Sequence, residues 1–283
     1  MSHPEITTLS YSAGKQSHAL LKMILMRLIP RPANFLVLNA DPGMENSESY
    51  LFVAQAKAEC ERAGIPFLTA RTTLCYDLTT FKERGLTRLD QPPYWTKNRL
   101  TGKRGKLKQK CTKRYKVDAM RVELRQWMKT NLGINPRRTR GLPKVETWIG
   151  FSADEQARAN KCVSKEKYIT LRFPLIEFGM DKAKVSAFFW KHGIQEPPSS
   201  VCNACFSNGL AFFEDMYDNR PKDWEQAVMV DDYIRDMRQI GIEDECYVSQ
   251  TLIPLRELPK MNFLRGNPNE FRQYRCNSGA CFL

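Results

Sequence analysis

A run of small and polar residues near the start of the chain, SAGKQS at residues 12–17, lies between a β-prone segment and an amphipathic segment. Small residues let the backbone approach an anion closely, and the free N–H groups at the start of a helix point toward it, assisted by the helix dipole. Phosphate is the natural ligand of such a loop. The spacing matches neither GxxxxGK(S/T) nor GxGxxG, which excludes these two phosphate-binding motifs. By itself the loop also fits an ordinary turn between a strand and a helix, with a serine N-cap.

The cysteines are the second group of residues suited to chemistry. Cys202 and Cys205 form a CxxC pair just after two prolines, and Cys111 lies far upstream in a basic segment. Nine cysteines are an odd number in a chain too long to need disulfide staples, so reduced thiols are expected. Soft thiolates suit both iron–sulfur clusters and zinc. The cysteines without a spacing signal are expected as small buried hydrophobes: Cys60, Cys75, Cys162 and Cys246.

The charge of the chain points to a polyanionic partner. The 283 residues contain 44 Lys and Arg against 31 Asp and Glu, so the net charge is 44 − 31 = +13. Many of the cations crowd into segments 97–116 and 137–144, and Tyr94 and Trp95 just upstream are candidates for stacking a base. The sequence therefore predicts nucleic acid or a phosphate-rich substrate as a partner. The alternative is a solvated basic loop that only aids solubility.

Strand and helix patterns alternate in the first third of the chain. Residues 6–11, 35–40 and 66–70 are β-prone, and residues 18–28 and 47–63 carry apolar side chains at helical spacing. Strands interleaved with helices of this length predict right-handed βαβ units and a mainly parallel, Rossmann-like α/β sheet.

The rest of the chain changes character twice. Residues 82–116 are rich in Gly, Pro, Lys and Arg, and a helix is expected over 113–132. Sheet patterning returns at 146–151 and 168–173. From about Asp181 the chain looks helical, so we divide it into a nucleotide-binding α/β domain, 1–180, and a helical, cysteine-bearing part, 181–283.

Five segments, in order, resemble motifs of the phosphoadenosine-phosphosulfate (PAPS) reductase family in the PP-loop ATP pyrophosphatase superfamily. SAGKQS resembles the SGGxDS loop, NADPGMENSESY resembles DTGxExxxTY, QKCTKRYKV resembles CTxxLKI, and WIGFSADEQAR resembles GIxxDExxR. FPLIEFGMDKAKVSAFFWKHGIQEPPSSVCNACF is similar to PLxEWGMxxxxxxxFLxxxGLPxPxKSGCxxCPF, a run of reductase-like proteins common in bacteria and their phages. The resemblance implies an adenine nucleotide alpha hydrolase-like fold that binds ATP.

The same resemblance implies the residues of the site. Gln16 replaces the usual acidic residue of the loop and Ala13 replaces a glycine, so the charge that holds Mg²⁺ would come from Asp41, Glu45 or Glu48. The residues expected to act in catalysis are Lys15, Asp41, Lys116 and Arg158. The residues expected to bind the nucleotide are Ser10, Ser12, Ala13, Gly14, Lys15, Gln16, Ser17, Asp41, Gly43, Glu45 and Gly150.

A metal centre is implied by the related adenylylsulfate reductases, in which a cysteine pair at the CT position and a later CxxC hold a [4Fe-4S] cluster. Here Lys110 precedes Cys111, which leaves three ligands: Cys111, Cys202 and Cys205. Cys276 or Cys281 in the tail is expected to be the fourth ligand, or the fourth iron stays open to bind sulfide. Zinc, or no metal, is the alternative.

The resemblance implies an ATP-dependent adenylating enzyme that inserts sulfur into nucleic acid, as in tRNA thiolation or DNA phosphorothioation, with a sulfur donor such as a cysteine desulfurase. One alternative is a PAPS or adenylylsulfate reductase, although the tail lacks the ECGxH motif of such enzymes. Another is an inactive nucleotide- or nucleic-acid-binding protein. With no long apolar run and no basic start leading into one, no membrane partner is expected and the cytoplasm is the expected location. The oligomeric state is left open.

Overall fold

The structure is a computed structural model that describes residues 5–135 and 141–264. The strands are β1 (Ile6–Ser10), β2 (Phe35–Asp41), β3 (Phe67–Arg71), β4 (Trp95–Lys97), β5 (Arg104–Lys106), β6 (Val145–Ile149), β7 (Ile169–Arg172) and β8 (Glu245–Tyr247). The helices are α1 (Lys15–Leu25), α2 (Ser47–Arg62), α3 (Leu74–Thr80), α4 (Asp118–Leu132), α5 (Gln156–Ala159), α6 (Pro174–Glu177), α7 (Lys182–Lys191), α8 (Leu210–Asn219) and α9 (Pro221–Tyr233). A π-helical turn, Lys113–Val117, precedes α4.

Five strands form the central sheet in the order β3-β2-β1-β6-β7, and each neighbouring pair is parallel. This arrangement confirms the predicted Rossmann-like α/β fold. The chain runs from β1 outward through β2 to β3, then crosses back to the other side of β1 with β6. The strand order therefore reverses between β1 and β6, and ligands of such sheets bind at the carboxyl ends of the strands at this point.

The helices cover the sheet on two faces. On one face Leu9 and Val37 pack with side chains of α1, α2 and α7. On the other, Leu36 and Leu38 pack against α4. Alternate residues of one strand thus enter opposite cores, as the two-residue period of a strand requires. Because these strands are parallel, the carboxyl ends of β1, β2 and β6 lie together at one edge of the sheet.

A second sheet was not predicted. Three short antiparallel strands have the order β5-β4-β8, with Trp95 opposite Tyr247. They cover a separate apolar core that also contains side chains from α3, α8 and α9. Trp95 and Tyr94 are 6% and 0% exposed in this core, so the prediction that they stack a base is wrong. Because Tyr94 and Trp95 pack in this core, they fix the start of the basic segment to the rest of the protein.

The domain boundary between residues 180 and 181 stays a prediction, although α7 shares the core beneath α1 and the later helices share a core with α3. No helix in residues 5–135 and 141–264 has the length and apolar character needed to cross a membrane. Cys276, Cys281 and much of the second basic segment lie outside the described residues.

Candidate functional site

The loop between β1 and α1 lies at the point where the strand order reverses. It is closed by the Ser17 hydroxyl, which donates to the Gly14 carbonyl over 3.1 Å, and by the Ser12 N–H, which donates to the Ser17 hydroxyl over 3.3 Å. Ala13 has a φ of +57°, in the left-handed region that costs energy for residues with a Cβ atom. The protein therefore keeps the tight loop expected of glycine with an alanine in its place.

Gly150 packs the end of β6 against the first turn of α1. A Cβ atom on Gly150 would lie 2.7 Å from the Ser17 nitrogen and 3.0 Å from the Gln16 carbonyl carbon. These atoms belong to the backbone and cannot turn away, so only glycine fits here. The predicted nucleotide-binding residue Gly150 thus sets how close β6 comes to the loop.

A cavity of about 470 Å³ opens at the start of α1. Gly14, Lys15 and Gln16 contribute one wall, and the segment after Ser199 contributes another. Three cysteines from two distant parts of the sequence line the same space: Cys111, Cys202 and Cys205. The structure thus brings the predicted phosphate loop and the three predicted cluster ligands onto one cavity.

The three thiols are surrounded by protein. Burial raises the pKa of each thiol. The pKa of Cys111 rises to about 11, first through burial and then through the neighbouring Cys205. The three thiols are therefore protonated at neutral pH unless a metal takes the place of the proton. Within the described residues, no three His, Cys, Asp or Glu side chains are arranged to hold a single metal ion. The role of these cysteines as ligands stays a prediction.

Lys116 links the cysteines to the end of β2. Its ammonium group donates to Oε1 of Glu45 over 2.8 Å, and the Cys202 thiol donates to the same oxygen over 3.6 Å. The backbone holds this contact, because Glu45 forms a β-bridge with Cys202 and the Asn203 N–H donates to the Met44 carbonyl. Burial favours the neutral amine, but the Glu45 carboxylate outweighs it and raises the pKa of Lys116.

Each of the four Lys and Arg side chains that line the cavity has a carboxylate partner. Lys15 lies 2.7 Å from Glu196, which also accepts a hydrogen bond from Ser186. An anion entering the cavity must therefore share or displace a carboxylate. The four pairs are Lys15–Glu196, Lys116–Glu45, Arg158–Glu155 and Lys182–Asp154.

Glu155 was not among the predicted site residues. Its Oε2 accepts a hydrogen bond from Gln16 Nε2 over 3.4 Å and another from the Ser152 hydroxyl over 3.1 Å. Gln16 stands where the resembling loops carry an acid, so Glu155 restores a carboxylate close to that position. The WIGFSADEQAR motif contained the signal for Glu155, but only the fold brings it to Gln16.

Asp41 lies apart from the cysteine cavity. Its Oδ1 accepts hydrogen bonds from the Gly43 N–H over 2.8 Å and from the Tyr50 hydroxyl over 2.7 Å. It lines a crevice of about 30 Å³ together with Ser10, Ser12 and Glu45. Glu48, by contrast, lies 3.8 Å from an arginine, and its side chain is 54% exposed. The structure thus divides the predicted residues between two spaces, and Glu45 and Lys116 stand between them.

A third space lies on the α4 side of the same strand ends. This pocket of about 210 Å³ has a mostly apolar wall that includes Leu38, Met120 and Ile149, with Ser10 and Thr112 at its edge. Ser10 also lines the crevice beside Asp41, and Thr112 also lines the cysteine cavity. The three spaces therefore adjoin one another at the carboxyl edge of the sheet.

No protein-family model matches this chain. No curated protein matches it significantly in sequence. Among solved structures, the chain is similar to the U34-tRNA thiolase NcsA from Methanococcus maripaludis with its [4Fe-4S] cluster, at 13% identity and a TM-score of 0.39. That similarity covers 91% of this chain and 82% of the other. A likeness this distant carries no argument about function.

Proposed function

We propose that the protein is an ATP-dependent enzyme that adenylates an oxygen atom of a nucleic acid and replaces it with sulfur. One observation carries the proposal: Cys111, Cys202 and Cys205 line the same cavity as the start of α1. A shared cavity lets an ATP-activated oxygen and a sulfur atom held by the cysteines meet in one reaction. The resemblance to the PP-loop proteins supports the same reaction.

The three adjoining spaces suit the parts of ATP. The apolar pocket beside Met120 accepts the adenine ring, and the loop before α1 holds the phosphates through its N–H groups and the helix dipole. The acceptor oxygen attacks the α-phosphorus and pyrophosphate leaves. Lys15, Lys116 and Arg158 stabilise the negative charge that develops on the phosphates. A sulfur nucleophile then displaces the adenylated oxygen, which leaves with AMP.

Two acidic positions fit a Mg²⁺ ion, a hard cation that prefers carboxylate oxygens. Glu155 adjoins the loop through Gln16, and Asp41 lies at the end of β2 beside Ser12. Bound Mg²⁺ would neutralise charge on the phosphates and the leaving pyrophosphate. These carboxylates take over the task of the acid that Gln16 replaces.

Soft thiolates suit a [4Fe-4S] cluster, in which each thiolate binds a different iron. Because Cys111, Cys202 and Cys205 line one cavity, we assign them as its ligands. Zinc is the alternative metal for the same thiolates. The cluster would bind or pass on the sulfur, with Cys276, Cys281 or an open iron at the fourth position. A cysteine desulfurase is a suitable donor.

Pyrophosphate release from ATP tests the proposal. Anaerobically purified protein should release pyrophosphate when nucleic acid is present, and the product should contain sulfur by mass spectrometry. A PAPS or adenylylsulfate reductase would consume its sulfonucleotide without releasing pyrophosphate, and an inactive binding protein would do neither. Absence of ATP-dependent pyrophosphate release with tRNA and with DNA would contradict the proposal.

A further inference from the structure

An open groove of about 880 Å³ lies outside the candidate site. Its walls come from the end of β3, the loop 84–91, residues 110–123 and the turn 240–242. The groove is lined mainly by polar and charged side chains, together with a few apolar ones, among them Leu86, Leu89 and Ile242. None of the residues that line it is among the predicted catalytic, nucleotide-binding or metal-binding residues.

The cations of the groove differ from those of the cavity. The side chains of four of them are exposed, and none of the four forms an ion pair within the described part of the chain: Arg71, Arg88, Lys110 and Arg114. The cavity cations, by contrast, all have carboxylate partners. An external anion can therefore bind in the groove without displacing a carboxylate of the protein.

The carboxylates of the groove offset this charge only in part. Asp77 is paired with Arg84 and accepts a hydrogen bond from Tyr115. Asp118 lies within ion-pair distance of Lys113 and Arg121. Two further carboxylates, Asp90 and Glu123, line the groove against the four open cations, so the surplus charge is positive.

Much of the remaining basic segment is committed elsewhere. Arg99 pairs with Asp236 and Glu245, which ties the β4–β5 hairpin to the region of β8. Arg104 donates to the Gln250 carbonyl, and Lys106 lies over the rings of Trp95 and Phe206. The segment thus divides into cations that hold the second sheet in place and cations, Lys110 and Arg114 among them, that face the groove.

The groove adjoins the cysteine cavity. Lys110 lines the groove and the next residue, Cys111, lines the cavity. Gln91 and Pro92 are divided in the same way. The Thr72 hydroxyl donates to the Tyr115 carbonyl, which fixes this dividing segment to the end of β3. A polymer lying in the groove therefore lies beside the wall that carries Cys111.

We propose that this groove binds the sugar–phosphate backbone of a single nucleic-acid strand and presents the strand to the cysteine cavity. The proposal rests on the proposed function for what happens to the strand, but the binding stands without it. Regularly spaced phosphates match the four open cations, and the apolar side chains among the lining residues accommodate unstacked bases or riboses. An acidic polypeptide would match the charge but not the need to reach a site for adenylation.

The test is the binding of fluorescent single-stranded RNA and DNA oligonucleotides over a range of salt concentrations. The groove variant is Arg71→Ala with Arg88→Ala, which lie outside the catalytic residues. The matched control is Lys57→Ala with Arg62→Ala, which removes the same charge from exposed positions on α2, on the other face of the sheet. The groove variant should bind several-fold more weakly. Its plot of the logarithm of the binding constant against the logarithm of the salt concentration should be less steep by about 1.4, since each neutralised phosphate of a single strand contributes about 0.7.

Equal binding by the groove variant and the control, or full competition by poly-glutamate, would overturn the proposal. Pyrophosphate release is measured in parallel to separate it from the proposed function. Loss of binding in a protein that releases no pyrophosphate would retain the groove and reject the enzyme. Unchanged binding in a protein that does release pyrophosphate would reject the groove alone.

Discussion

Lys116 and Glu45 form an ion pair of 2.8 Å between the cysteine cavity and the crevice at the end of β2, with 21% and 10% of their side chains exposed. The pair joins a π-helical turn to the segment after β2, and the Cys202 thiol donates to the same carboxylate. A buried charge pair is costly to break because the remaining charge has lost its partner. Lys116 therefore helps to hold the segment that contains Cys202 in place, through Glu45, and supplies positive charge to the site.

Glu45→Gln should destabilise the protein because it leaves the Lys116 ammonium group in the interior without its carboxylate. We expect the free energy of unfolding to fall by about 3 kcal/mol in urea denaturation at pH 7. The pKa of Lys116 is raised above its ordinary 10.5, so the stabilisation is complete below that pH and is lost only as the pH rises through the higher, folded-state pKa. Glu196→Gln, which breaks the more exposed Lys15 pair, should cost under about 1 kcal/mol. Equal losses in the two variants would show that burial does not set the strength of the Lys116 pair.

Glu196→Gln should also tighten ATP binding. Glu196 lies 2.7 Å from the Lys15 ammonium group and competes with a phosphate for it. Without that charge Lys15 is released, and we expect the Kd for ATP, measured by isothermal titration calorimetry, to fall several-fold. The control is Glu177→Gln, which breaks the exposed pair with Arg172 away from the cavity. Unchanged or weaker binding in the Glu196 variant would remove Lys15 from the phosphate site.

Gly150→Ala should abolish nucleotide binding. The added Cβ would lie 2.7 Å from the Ser17 nitrogen, so the first turn of α1 must move away from β6. In Gly14→Ala the nearest atoms, Ser12 Oγ and Ser200 Cβ, both lie 3.3 Å away, and a much smaller loss is expected. Binding of a fluorescent ATP analogue, with circular dichroism to verify folding, distinguishes the two. A folded Gly150→Ala protein with normal affinity would place the nucleotide elsewhere.

Replacing Cys202 and Cys205 together with Ser should remove the iron. Both residues line the cavity, and serine is a poor ligand for a soft metal centre. Protein purified without oxygen should lose its brown colour, its iron and its acid-labile sulfide. Cys162→Ser, which lies outside the cavity lining, should keep all three. Retention of iron in the double variant would assign the cluster to other ligands.

His18 should make the protein sensitive to acid. Burial, with a smaller effect of Lys22, lowers the pKa of His18 from 6.5 to about 4. The unfolded chain therefore protonates His18 near pH 6.5, whereas the folded protein does so only near pH 4. The free energy of unfolding falls by about 3 kcal/mol as the pH is lowered between these two values. His18→Gln should reduce this slope by one proton in urea denaturation from pH 7 to pH 4. An identical slope would show that His18 does not titrate in this way.

The central sheet could be predicted because each strand has a local signal. The apolar runs that became β1, β2 and β3 are bounded by helices with clear periodicity, and the observed ends differ by only one residue. The strands β4, β5 and β8 have three residues each, and basic residues occupy two of the three positions in β5. β4 and β5 form a hairpin of very short strands, and β4 pairs on its other side with the distant β8, so no local apolar pattern reveals this sheet.

The candidate site divides in the same way. The loop and the CxxC pair have recognisable spacing, and the fold places both on the cavity. The pairing of Lys15 with Glu196 and the approach of Glu155 to Gln16 join residues that the sequence separates widely. The prediction that Tyr94 and Trp95 stack a base rested on their basic neighbours in the sequence. Both side chains instead pack in the core, which the sequence around them does not show.

The pairing of β4 with β8 also orders events on the ribosome. The five-stranded parallel sheet needs only residues up to β7, whereas Trp95 pairs with Tyr247, which is synthesised later. The central sheet can therefore assemble on the nascent chain while the second sheet still lacks β8. We expect the core beneath the second sheet to close after the central sheet has formed.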